Sequence, residues 1–345
     1  MSYQLGVSYF SNRMPEHFIR DLESMRQNGM NQVLLTFSEN DQEFYRDNIG
    51  EFISQAHDLE MKVYLGPWSV GGVFGGEAYS KYVAWYPEGR QVLSNGDQAP
   101  AACLNNPHFR RFFSGWIESA VATGADAIFL DEPHFFVPGW NNPFSRTDTH
   151  LWGCRCPFCQ EKYRQENSEF MPETLNESVN RFKRKSIWDF VAWACREAKQ
   201  YNPSILTSLC LITDDYFLKS DLPFRLTEIE ALDEIGTDPY WGVRVGTELE
   251  QYLREEFTQS CLILDRIQTQ YHKRVQIWIK NFLVKAGTEE AIQRAVELAA
   301  RYHITNIMAW SYKGTCYMSK MKSEQPELVW DTLCRAYLGL RKSEQ

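Results

Sequence analysis

The chain is poor in histidine, with seven in 345 residues, and it lacks an excess of basic charge: 36 Lys and Arg stand against 45 Asp and Glu, for a formal net charge of −9. A protein that grips phosphate backbones or anionic lipid needs clustered cations, so nucleic-acid and membrane-surface binding are disfavoured. No apolar run is long enough to span a bilayer. The N-terminus, MSYQLGVSYFSNRMPEHF, lacks a basic stretch followed by an apolar one, so no secretory signal is expected. There is no internal repeat, no low-complexity tract and no linker. The first strand-to-helix turn has no GxGxxG, which removes the main support for a dinucleotide-binding fold. The glycine-rich GGVFGG at 71–76 has no following Lys-Ser/Thr and reads as a flexible active-site loop.

What the sequence does have is a rhythm. Short β-branched or aromatic runs alternate with stretches of 3.6-residue period. Strands are expected at 3–10, 31–37, 62–68, 126–132, 204–212, within 236–242, at 274–282 and at 305–312. Helices are expected between them, including 107–123, 177–201, 247–270 and 288–302. Eight strand-helix units in this length predict an α/β fold of the (β/α)8 TIM-barrel type, as one domain over 1–345. An insertion at 133–176 follows strand four.

Barrels of this kind do their chemistry at the C-terminal strand ends. Those ends carry Trp68 on strand three, Asp131, Glu132 and His134 on strand four, and Asp214 and Asp215 on strand five. Strand six contributes Asp238, Tyr240 and Trp241, strand seven Lys280 and Asn281, strand eight Trp310 and Tyr312. Carboxylates supply acid, base or nucleophile, and flat aromatic faces stack on sugar C–H faces, the combination glycosidases use. Asp131 and Glu132 follow the apolar run AIFL, where two acids are costly to bury without partners. Asp238 lies between Gly-Thr and Pro with two aromatics. Asp126 is expected to cap or orient a loop and Trp278 to pack, while for Asp214 and Asp215 capping a helix stands beside catalysis. Trp68, His134, Tyr240, Trp241, Lys280, Asn281 and Trp310 are the candidate substrate contacts.

Nine cysteines are present. Cys195, Cys210, Cys261, Cys316 and Cys334 sit in apolar or helical stretches and read as small buried hydrophobes. Cys154, Cys156 and Cys159 crowd into WGCRCPFCQEKYR and read as metal ligands, with Cys103 or His150 as the fourth. A closed site of four cysteines has no open position, so its zinc would be structural. Reduced thiols fit a cytoplasmic location.

Two segments, ACLNNPHFRRFF (102–113) and WGCRCPFCQEKYR (152–164), resemble the family 42 glycoside hydrolases, zinc-containing β-galactosidases on a (β/α)8 barrel. The resemblance implies one structural zinc on Cys103, Cys154, Cys156 and Cys159, and an acid/base at Glu132. It does not carry over the family's strand-seven glutamate, because VQIWIKNF holds Lys280 and Asn281 and no acid. A strand-four/strand-six pair resembles α-galactosidase-like and α-glucosidase-like barrels, which implies Asp131 or Glu132 as nucleophile and Asp238 as proton donor. Which of Asp131 and Glu132 faces the substrate stays open, since strand residues alternate faces and the rule weakens past a strand end.

The expectation is a glycosidase acting on a carbohydrate, with no organic cofactor. The alternatives are a non-catalytic sugar-binding barrel, a lyase or aldolase forming a Schiff base on Lys280, and, lower, a metal-dependent hydrolase for which His134 is the only nearby histidine. The sequence sets neither sugar, anomer nor oligomeric state.

Overall fold

A computed structural model describes residues 2–138, 150–316 and 318–344, with the backbone alone at Asp214 and Asp215. Ten strands occur in chain order among the described residues. They are β1 (Gln4–Tyr9), β2 (Gln32–Thr36), β3 (Lys62–Gly66), β4 (Arg90–Val92), β5 (Gln98–Ala102), β6 (Ala127–Asp131), β7 (Leu206–Leu211), β8 (Glu234–Thr237), β9 (Arg274–Lys280) and β10 (Asn306–Trp310). Eight of them close a barrel in the order β1-β10-β9-β8-β7-β6-β3-β2. Every barrel pairing is parallel. The closed eight-strand barrel with outer helices is the expected (β/α)8 architecture, and strands four to eight of the sequence are β6 to β10.

The outer layer forms because each helix shows one apolar stripe. In Glu290–Arg301 the buried residues are Ala291, Ile292, Ala295, Val296 and Ala299. Their spacing of three and four puts them on one face, and each buried Ile or Val contributes about 1.5–3 kcal/mol. The helix Pro107–Val121 starts where Asn106 accepts a hydrogen bond from the His108 N–H and Pro107 takes the first turn, which has no use for its missing N–H.

Inside the barrel two layers are stacked. The lower one is polar: Glu234 accepts from Ser208 at 2.7 Å and from Asn306 at 2.7 Å, and Asn306 accepts from Gln32 at 2.6 Å. The upper one is apolar, built from Leu34, Tyr64, Phe129, Trp278 and Met308, and it reaches Phe10 and Trp310 at the C-terminal mouth. Trp278 is thus a packing residue, as its alternation indicates.

The connection after β3 departs from the sequence reading. It is not one long loop: it folds into a short helix, Lys81–Trp85, and the antiparallel hairpin β4–β5. The Ser94-Asn95-Gly96-Asp97 turn between the two strands is the local signal for that hairpin. The expected helix 247–270 is also interrupted, as α-helix Gly246–Tyr252, a wider π-turn at Leu253–Phe257 and α-helix Thr258–Gln270. Asp126 accepts the Val63 N–H at 2.8 Å and contacts His57 at 2.9 Å, so it ties two elements together at the far end from the mouth.

Candidate active site

Asp131 is the last residue of β6, and Glu132 follows with φ of 48°. A left-handed backbone at a non-glycine residue is strained by about 1–3 kcal/mol and marks a place where surrounding structure imposes it. Here the Glu132 N–H donates to the Cys210 carbonyl on β7 at 3.0 Å. The turn breaks the alternation of faces. A Cβ placed on Gly75 would lie 2.6 Å from Asp131 Oδ2 and 3.1 Å from Glu132 Oε2. Both carboxyl groups therefore reach the same space under the backbone of Gly75.

Asp238 follows β8 and meets this pair. Its Oδ1 accepts from Thr213 Oγ1 at 3.3 Å, and Thr213 contacts Thr237 Oγ1 at 2.8 Å. The Glu132 and Asp238 carboxyl groups hydrogen-bond one another. Glu132 is 9% exposed and Asp238 8%. Burial pushes Asp131 well above the usual carboxylate range, with the Glu132 charge adding to it. Burial and then the Asp238 charge push Glu132 up in the same direction. Asp238 is raised by burial to about 7, while the hydrogen bond from Glu132 favours its ionised form. The pair thus holds one proton between them, with Glu132 the donor and Asp238 the acceptor.

Three neighbours of the acids were missed by sequence reasoning. Cys210 pairs with Asp131 across β6 and β7, and its thiol contacts Asp238; it is not merely a small core hydrophobe. Thr213 anchors Asp238, and Gly75 roofs the acids. None carries a local pattern that would single it out. Asp214 and Asp215 cannot be placed, because their side chains lie outside the described residues.

The aromatic candidates divide. Trp68 and Trp310 both pack on Phe10, with ring centroids 4.9 and 5.3 Å away, so they share one wall at the mouth. Tyr240 stands near it, edge-on to Phe282 at 5.1 Å. Trp241 does not join them. It is 1% exposed and packs in the outer core, leaving no face for a ligand.

Three other candidates are committed elsewhere. His134 is buried, with Nδ1 at 2.6 Å from the Glu132 carbonyl and its backbone N–H donating to the Val73 carbonyl at 3.0 Å. Burial lowers it to about 4, so it is neutral and braces the Glu132 backbone. Lys280 Nζ donates to the carbonyls of Gly242 and Leu283 and lies over the Trp241 and Phe282 rings. Burial lowers it to about 8. Asn281 is buried and donates to the Ser311 carbonyl at 2.8 Å, tying the end of β9 to that of β10.

The cysteine cluster is assembled as the spacing requires. Cys103 follows β5, Cys154 and Cys156 precede the helix Pro157–Asn167, and Cys159 lies in its first turn. Their four Sγ atoms lie within 4.8 Å of one another, all buried. Cys103 to Cys159 is 3.4 Å and Cys156 to Cys103 is 3.5 Å. A tetrahedral ion with metal–sulfur bonds of about 2.3 Å wants sulfur–sulfur edges of about 3.8 Å. Amide donors already face the sulfurs: Asn105 Nδ2 to Cys159 and the Cys156 N–H to Cys154, both at 3.3 Å. The site fits a metal ion. His150 is exposed and outside the cluster, which removes it as the fourth ligand. Of the five remaining cysteines, Cys316 is only half-buried, a departure from the core reading.

No known family's sequence profile matches the chain, and no curated protein matches it. Solved structures do. A β-galactosidase from the haloarchaeon Halorubrum lacusprofundi superposes with a TM-score of 0.74 at 14% identity, covering 98% of this chain and 58% of its own. A β-galactosidase from Bacillus circulans sp. alkalophilus gives 0.72 at 10% identity, covering 99% and 56%. An endo-β-1,4-mannanase from Thermotoga petrophila gives 0.63 at 11% identity, covering 100% and 78%. The chain thus spans under two thirds of the length of these β-galactosidases. At such identities the likeness is one of fold alone, the (β/α)8 barrel that these glycoside hydrolases share.

Proposed function

We propose that the protein is a glycoside hydrolase whose proton chemistry is done by Glu132 and Asp238 and whose insertion is held by a structural zinc. The observation that carries this reading is the buried, hydrogen-bonded Glu132–Asp238 pair beside the Trp68–Phe10–Trp310 wall. A sugar ring stacked on the wall brings its glycosidic oxygen to the acids. Glu132, held protonated, donates to the leaving oxygen. Asp238, ionised above about 7, attacks the anomeric carbon or activates water. This gives Glu132 the acid role that the family 42 resemblance implies and reverses the α-galactosidase-like assignment. Asp131 is the third acid of the group, neutral when the pair is charged.

The two carboxyl groups touch, whereas flanking pairs stand about 5–5.5 Å apart in retaining enzymes and about 6.5–9.5 Å in inverting ones. Substrate entry therefore has to part them. The same contact favours a second reading, a sugar-binding barrel that does not hydrolyse. Lys280 as a Schiff-base lysine is the weakest reading, because its ammonium is occupied by two carbonyls.

The four thiols form the tetrahedral sulfur set that zinc prefers, and bound zinc would staple the segment around Cys154 to the turn at Cys103. No described helix is long and apolar enough to cross a membrane. Zinc-binding thiolates need reducing surroundings, which fits a cytoplasmic setting.

A screen of 4-nitrophenyl glycosides, α and β anomers of common sugars, tests the reading. Hydrolysis lost in Glu132→Gln and Asp238→Asn is expected, with product anomer followed by NMR. Binding without turnover would leave the sugar-binding reading.

A further inference from the structure

The connection after β3 does more than roof the acids. At Gly76 φ is +115°, and a Cβ there would lie 1.5 Å from Trp68 Cδ1, so only glycine lets the indole lie against the chain. Gly75 therefore meets the acids, Gly76 meets the aromatic wall, and the next residue is Glu77. Glu77 is exposed as a residue, and its partly screened carboxylate accepts a long, 3.5 Å hydrogen bond from Ser319. Ser319 belongs to the connection after β10, where Met318 packs on the aromatic wall. Glu77 thus stands where two mouth loops meet, beside Trp68. Burial raises its proton affinity, while Ser319 and the Trp68 indole favour its charged form. No ion pair to Lys, Arg or His involves it among the described residues.

We infer that Glu77 is a specificity-determining residue: its carboxylate accepts hydrogen bonds from hydroxyls of the sugar ring stacked on Trp68, and the site takes uncharged sugars while rejecting those that carry carboxylate, sulfate or phosphate. The inference rests on the glycosidase reading. A carboxylate lacking a cation has acceptor capacity for vicinal hydroxyls, which are donors. Glu77 and, once it ionises above about 7, Asp238 place negative charge at the mouth, while Lys280 is tied to carbonyls and Lys320, next to Ser319, forms no ion pair with Glu77. An anionic ring brought there meets like charge, which discriminates by repulsion.

The test uses the full chain, the same aryl glycosides and 4-nitrophenyl glucuronide. The parent should cleave a neutral glycoside and leave the glucuronide untouched. Glu77→Gln should raise KM for the neutral sugar roughly tenfold or more, the loss expected of one charge-assisted hydrogen bond, with kcat little changed. Glu77→Lys should narrow the gap between neutral sugar and glucuronide. Circular dichroism of each variant checks folding. An unchanged KM in Glu77→Gln overturns the inference, and so does a fall in kcat at constant KM, which would place Glu77 in the chemistry. If the parent cleaves nothing, the hydrolase reading fails, and tryptophan fluorescence titrated with the parent monosaccharides decides the remaining point. Binding weakened by Glu77→Gln supports the subsite, and equal binding, or none to the parent, overturns it.

Discussion

The carboxyl group of Glu132, just past β6, hydrogen-bonds that of Asp238, just past β8, and neither has an ion-pair partner among the described residues. Such a pair keeps one proton, and its two titrations bracket the working range. Activity should rise as pH climbs through about 7, where Asp238 ionises, and fall once Glu132 loses its proton. Glu132→Gln and Asp238→Asn should each lower kcat by about 10²–10⁴, the usual worth of a positioned proton donor or acceptor. A pH profile of kcat/KM without a limb near neutrality would count against the pair.

Stability should carry the same signature. Asp238 goes from its ordinary 3.8 to about 7 on folding. Between those values the native state binds the proton more tightly than the unfolded one. Its contribution is full below about 4 and is lost as pH rises through about 7. Asp238→Asn removes the charge, so Tm at about pH 8 should rise relative to the parent and the Tm–pH curve should flatten between about pH 4 and 7. Thermal melts across that range decide it; a lower Tm for the variant on the alkaline side would mean that the charge is stabilised by something else.

Gly75→Ala should separate the site from the fold. The added methyl would fall 2.6 Å from Asp131 Oδ2, forcing the carboxyl aside. The backbone at 75 is not among the left-handed positions, so alanine itself is tolerated there. The expected result is at least a roughly tenfold fall in kcat/KM with little change in Tm. Parent-like activity would show that the roof is not in contact with the acids.

Tryptophans that look alike in sequence should behave differently. Trp241→Ala opens a cavity in the outer core and should cost about 3–5 kcal/mol of stability by urea denaturation. Trp68→Ala removes a half-buried ring from the mouth and should weaken sugar binding more than it weakens folding. Equal destabilisation by both would contradict the division between core and mouth.

Metal analysis of the purified protein should find one zinc per chain. Cys156→Ser should lose it and loosen the segment around Cys154, with a lower Tm and a chelator-insensitive melt. A metal-free parent, or a disulfide within the cluster, would remove the zinc staple.

The alternation of apolar runs carried most of the fold because each strand and helix must bury one face, and that requirement is written locally. The Cys154-x-Cys156-x-x-Cys159 spacing was equally legible, since one helix start and its approach bring three thiols together without help. The β4–β5 hairpin was missed although its Asn95-Gly96 turn is a local signal, because the surrounding glycines read as loop.

What the sequence by itself determined was which strand ends carry acids and aromatics. Only the tertiary structure decided where they point. Trp241 and Trp310 both lie at the C-terminal side of a strand, yet the first turns into the outer core and the second joins the wall. Asp131 and Glu132 should face opposite ways by alternation, yet the positive φ at Glu132 brings both under Gly75. Cys210 reads as a core thiol and lies against Asp238. The physical reason is common to all three. Alternation is a property of one extended strand and ends with it, while contact across a barrel mouth depends on register between strands and on loops that settle only when the barrel closes.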